Sequence, residues 1–191
     1  TDDQDEKNRL ADTLKNEMKP GAIDVNIMTK IDRNNFDKEG NLLPQEYSDA
    51  LAALRGYAMS NLDSGIVLSA GFNRRLYAYF EQFKDFYPDE TGYIKKKIIL
   101  KVSDFRSSLT QTKFLSKKGL WISEHRIESG LNCGGHAFAT EGYLLGPILE
   151  EFKQNRKDLI SSSYVMCNQV LKERGKPFFK TIPTLKVTVQ G

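Results

Sequence analysis

The sequence predicts an α/β protein built on a parallel sheet, and three observations predict it. Short apolar runs such as "IVL" (66–68) and "KIIL" (97–100) are continuous and do not alternate, as in strands covered on both faces. These runs alternate with amphipathic segments of helical period, the pattern of repeated βαβ units with right-handed crossovers. Polar and glycine residues gather where each run ends, at Asn26–Lys30, Ser69–Asn73, Ser103–Arg106 and Glu124–His136. Function in parallel α/β folds concentrates at the carboxyl ends of strands.

Each element has its own signal. Residues 4–18 place Leu10, Leu14 and Met18 on one face of a weakly amphipathic helix, and "KPG" (19–21) ends it. "AIDVNIM" (22–28) reads as a strand, followed by a polar loop over 29–43. Pro44 opens a helix to about 61, with Tyr47, Leu51, Leu54, Ala58 and Leu62 on one face. "SGIVLSAGF" is a strand with a glycine turn, and Asn73 caps the helix "NRRLYAYFEQF" behind it. "KKIILKVSD" is the third strand. Ser107 or Ser108 starts the next helix, and "LWISEH" (120–125) is the fourth strand. Two helices follow, about 143–154 and 157–174, and "TLKVTVQG" is a fifth strand. The expected strand cores are 23–28, 65–70, 97–102, 119–124 and 184–190, in sequential order around a curved sheet.

Composition narrows the class. The 191 residues suit one domain with a substantial core. A net charge of +3 is too weak a bias to imply nucleic acid or a membrane surface. Cys133 and Cys167 are isolated thiols, which argues against a disulfide framework or a zinc knuckle and for a cytoplasmic setting. No apolar run reaches the length of a membrane span. The expected partner is a small-molecule substrate. Neither metal nor nucleic acid is expected, and a homo-oligomer is compatible with the sequence.

The stretch "SGLNCGGHAF" (129–138) is the most unusual. Paired glycines let a ligand approach the backbone, and His136 beside them is one of only two histidines. With "DVNIM" (24–28), "VLSAGFNRRLYAYF" (67–80) and "LWISEHRIESG" (120–130), it resembles the nitronate monooxygenase family, formerly 2-nitropropane dioxygenases. That family includes FMN-dependent enoyl-acyl-carrier-protein reductases. Here "NCGGH" stands where the family has "EAGGH", and "DVNIM" where it has "GVNLM" or "GVNIM". Asn132 replaces an acidic residue, Cys133 an alanine, and Ser129 a position often held by glutamine.

The resemblance implies a partial (β/α)8 TIM barrel, an internal segment lacking the first strands and the C-terminal phosphate-binding strands. It further implies an FMN-dependent oxidoreductase acting on a nitronate-type small molecule. The alternatives are an FMN- and NAD(P)H-dependent enoyl-thioester reductase and a non-catalytic barrel-derived binding domain. By the same resemblance His136 is catalytic. Asn26, Gly71, Lys101, Ser129, Gly134 and Gly135 bind the cofactor, and the loop over 29–43 shapes the substrate mouth. Because the phosphate turns are missing, the isolated segment is expected to hold no stoichiometric FMN. By contrast His125, Cys133 and the cluster Tyr77, Tyr79, Phe80 and Phe83 read as structural.

Overall fold

The computed structural model describes residues 3–18, 21, 23–29, 32–69, 71–128 and 145–190. Its elements follow the order α1 (Gln4–Glu17), β1 (Val25–Ile27), α2 (Asp49–Met59), β2 (Ser64–Leu68) and α3 (Arg74–Tyr79). Then come β3 (Lys96–Val102), α4 (Phe105–Ser116), β4 (Ile122–Glu128), α5 (Leu145–Glu173) and β5 (Lys186–Gln190). The five strands form one sheet in the order β1-β2-β3-β4-β5, every neighbouring pair parallel. The order never reverses, so these strands are not the doubly wound arrangement.

A sheet that grows in one direction through right-handed crossovers keeps its helices on one face. Side-chain burial agrees. Ile27, Ile66, Leu68, Ile98, Leu100, Val102 and Ile127 belong to one core cluster with Leu51 and Leu54 of α2, Leu76 and Tyr77 of α3, Leu115 of α4 and Phe152 of α5. Tyr77 and Phe80 are buried in that cluster, while Tyr79 and Phe83 pack on its rim. The alternate residues project from the other face, and most are polar. They are Asn26 on β1, Lys97 and Lys101 on β3, Glu124, Arg126 and Glu128 on β4, and Lys186 and Thr188 on β5, set by the strand registers. The continuous runs therefore have a different cause from the one expected. Val67 and Ile99 give the charged face two buried apolar residues, and among the described residues α2, α3, α4 and α5 pack on the opposite face.

The charged face is held by ion pairs and hydrogen bonds within and between strands. Arg126 reaches Glu124 at 2.8 Å and Asp24 at 3.3 Å, and Thr188 Oγ1 donates to Glu124 at 2.7 Å. Gly65 makes room for this arrangement. A Cβ there would stand 2.6 Å from Ile99 Cδ1 and 2.8 Å from Asp24 Oδ1.

Several boundaries differ from expectation. β4 runs 122–128 instead of ending near 124, so Glu124 lies within a strand and not in a terminal loop. The β3–β4 register shifts at Ile98/Ile99. Helix α4 begins at Phe105 because Asp104, not a serine, caps it, accepting from Ser107 N at 2.6 Å. Asn73 caps α3 as expected, accepting from Leu76 N at 3.1 Å. The two expected C-terminal helices are one helix of 29 residues. The polar run over 153–158 faces outward and contains no glycine or proline to break it. Helix α1 forms, capped by Asp3, yet Leu10, Leu14 and Met18 remain exposed.

The loop after β1 is more ordered than a plain connection. Asp37 accepts from the backbone N–H groups of Glu39 at 3.0 Å and Asn41 at 2.8 Å, and Phe36 bridges Leu42. These bonds, that from the Asn41 side chain foremost, hold the Asp37 carboxyl below the usual carboxylate range. Ser48 donates to Asp32 at 2.7 Å and Asn35 donates to Tyr47 O at 2.8 Å, tying the loop to the start of α2.

Candidate functional site

Because all five strands are parallel, their carboxyl ends share one edge, and Asn26, Gly71 and Lys101 lie along it. Asn26 pairs in register with Val67, and Val67 with Ile99, so Asn26 and Lys101 project from the same charged face. The sequence suggests a buried amide at Asn26 in need of internal partners. The structure corrects this. Asn26 is exposed, because β1 is only three residues long and ends the sheet as an edge strand. Its amide is therefore open to solvent and to a ligand. Ser129, Gly134, Gly135 and His136, with Asn132 and Cys133, lie outside the described residues.

Lys101 supplies positive charge at this edge. Its Nζ stands 2.7 Å from Glu128 Oε2, with the side chains 12% and 2% exposed. Sequence reasoning misses Glu128, which sits at the end of "HRIE" with no local motif to mark it. The signal that could have found it is periodicity: Glu124, Arg126 and Glu128 share one face of a strand by alternation. Behind the edge, Asn73 Nδ2 donates to Thr29 O at 3.3 Å, joining the loops that follow β1 and β2. Ser69 and Asn73 are buried there.

His125 is structural, as its position in the sequence suggests. It is fully buried on the helix-facing side of β4, its Nδ1 2.8 Å from Ser108 Oγ and its ring against Phe152. Burial pushes its pKa down to about 4. Cys167 is buried as well, its Sγ donating to Leu120 O at 3.2 Å. Burial pushes that thiol up to about 12, far from a reactive thiolate. Among the described residues no group of three or more His, Cys, Asp or Glu side chains could hold a metal ion. None of the described helices is long and apolar enough to cross a membrane.

A cleft of about 360 Å³ opens at the other end of the charged face, near the amino ends of the strands. Asp24, Asp63, Gly65, Tyr93, Lys97 and Trp121 are among its lining residues. Lys97 pairs there with Asp63 at 3.7 Å, Tyr93 OH donates to the same carboxylate, and Asp24 pairs with Arg126. The carboxyl edge is the better candidate, since it presents an open amide on β1 and a held cation on β3, on the same face of the sheet.

A singly wound parallel sheet, helices on one face and ion pairs on the other, is the class of architecture that the geometry defines. Comparison with protein-family models, curated proteins and solved structures returned no match.

Proposed function

We propose that this chain is the flavin-facing part of a (β/α)8 barrel and that the protein is an FMN-dependent oxidoreductase resembling nitronate monooxygenase. The observation that supports this reading best is the sequential, all-parallel strand order, which puts Asn26, Gly71 and Lys101 at or near the carboxyl ends of three neighbouring strands. Such a sheet would, when curled toward its charged face, form the wall of a barrel with helices outside.

The donor set fits the polar rim of an isoalloxazine ring. Asn26 offers both an N–H donor and a carbonyl acceptor from an exposed amide. Lys101 places positive charge on the same face, and Glu128 at 2.7 Å fixes its ammonium in place. When bound, FMN would supply the electron-accepting and electron-donating chemistry. In this reading Asn26 orients the ring, and Lys101 offsets negative charge at its edge. Gly71, just past the end of β2, keeps the neighbouring turn free of a side chain. His136, with Gly134 and Gly135 beside it, takes a proton from the substrate.

The test is the absorption spectrum of the protein purified as its organism makes it, followed by turnover assays. Flavin bands that bleach on adding a nitronate under anaerobic conditions are the expected result. Bleaching by NAD(P)H and recovery with an enoyl thioester would select the reductase instead. A protein that shows no flavin band and does not bind added FMN would overturn both.

A further inference from the structure

Two arginines stand side by side at the start of α3, and their surroundings differ. Arg74 lies over the Phe114 ring, its guanidinium carbon 5.9 Å from the centroid. Arg75 turns toward the loop after β1, where its Nη1 donates to Asn34 Oδ1 at 3.1 Å. Its Nε and Nη2 are both buried and have no hydrogen-bond partner among the described residues. Those two nitrogens form one edge of the guanidinium plane, with N–H bonds that point the same way. That edge is the fork that takes two oxygens of a carboxylate or phosphate side by side.

A guanidinium carries five N–H donors and no acceptor, so its unpaired edge can be satisfied only by an acceptor group. Burying them without acceptors forfeits the hydration they have in the unfolded chain. Packing does not require an arginine for this purpose, because a leucine or methionine would supply the apolar stem without the penalty. Location adds to chemistry. The Asn73–Thr29 bond holds the start of α3 against the end of β1, so Arg75 sits at the carboxyl edge with Asn34 bracing one side of its head.

We propose that Arg75 anchors an oxyanion-binding site at this edge, receiving a carboxylate or phosphate group of a small-molecule ligand on its Nε/Nη2 fork. Asn34 holds the guanidinium plane through Nη1 and leaves the fork to the ligand. This site is independent of the flavin reading, since it requires only an anionic group and no redox chemistry.

Sodium phosphate and sodium acetate, each titrated against sodium chloride at equal ionic strength, test the proposal. The readouts are melting temperature and the side-chain 15Nε–H signal of Arg75. The expected result is a saturable rise in melting temperature and a matching movement of the Arg75 signal with at least one anion. Response to phosphate alone identifies a phosphate site, and response to acetate identifies a carboxylate site. Arg75→Gln should weaken the response at least tenfold, and Arg75→Lys should weaken it too, because charge without the fork is insufficient. Arg33→Gln, at an exposed neighbouring position, should leave it unchanged. An unsaturable response, a static Arg75 signal, or equal binding by Arg75→Lys or Arg75→Gln would overturn the site. If the glutamine variant does not fold, the lysine variant and the wild-type spectrum decide.

Discussion

His125 shows how one residue's surroundings set its chemistry. A buried imidazole with one partner, Ser108, is held neutral, its pKa lowered from 6.5 to about 4. Between those values the unfolded chain binds a proton that the folded chain does not. Stability therefore falls as pH drops through this window and is fully retained above it. The loss across the window is about 3 kcal/mol, since each tenfold difference in proton affinity is worth about 1.4 kcal/mol. Denaturant melts of wild type and His125→Asn at pH 7, 5.5 and 4.5 check this, and the variant should show a flatter slope. Parallel slopes would mean the ring is already charged in the folded protein.

At the scale of elements, the caps decide where helices begin. Asp104 has extended backbone and its carboxylate accepts from Ser107 N at 2.6 Å, satisfying a donor that the helix itself cannot. Asp104→Ala should cost about 1 kcal/mol, with Asp104→Asn near neutral. Urea unfolding midpoints measure both. An Asn variant as weak as the Ala variant would point to charge, and not capping, as the source. Lys96 serves similarly at the other end of α2. Its buried ammonium donates to Leu62 O at 2.9 Å and to Ser60 Oγ at 3.2 Å, and it stands 4.4 Å from the Tyr57 ring centroid. Burial lowers its pKa. The stability cost of keeping it charged therefore develops as pH falls from the ordinary lysine range, and it is complete below the folded value. Lys96→Met should accordingly be tolerated better at neutral pH than Lys96→Ala, which removes the stem as well. Thermal melts of the two variants compare them directly.

For the whole molecule, Trp121 is the natural reporter. It is the only tryptophan, it is 2% exposed, and it packs 5.7 Å from the Phe179 ring between β4 and the segment before β5. Its emission should be blue-shifted in the native state and move to the red in one step on unfolding. The sheet and its helices share one core cluster, so that step should coincide with the loss of helical circular dichroism. Separate midpoints would show that β4 and β5 come apart from the rest before the core opens.

The sequence by itself determined the order and kind of the elements. Apolar runs, helical periodicity and turn residues are local quantities, and they located all five strands, the Asn73 cap and the parallel sense of the sheet. It also placed Asn26, Gly71 and Lys101 near strand ends, which parallel strands necessarily bring to one edge. Tertiary structure alone decided the rest. Asp104 took the cap of α4 from the serines because β3 ends just before it. The polar run in α5 stayed helical because it faces outward while Phe152 and Leu159 on either side of it are buried in the core. Asn26 is exposed because β1 is an edge strand, and Glu128 became the partner of Lys101 only through the pairing of β3 with β4. Partnership across a sheet depends on register, and register is fixed by packing between segments far apart in the chain, which no local pattern records.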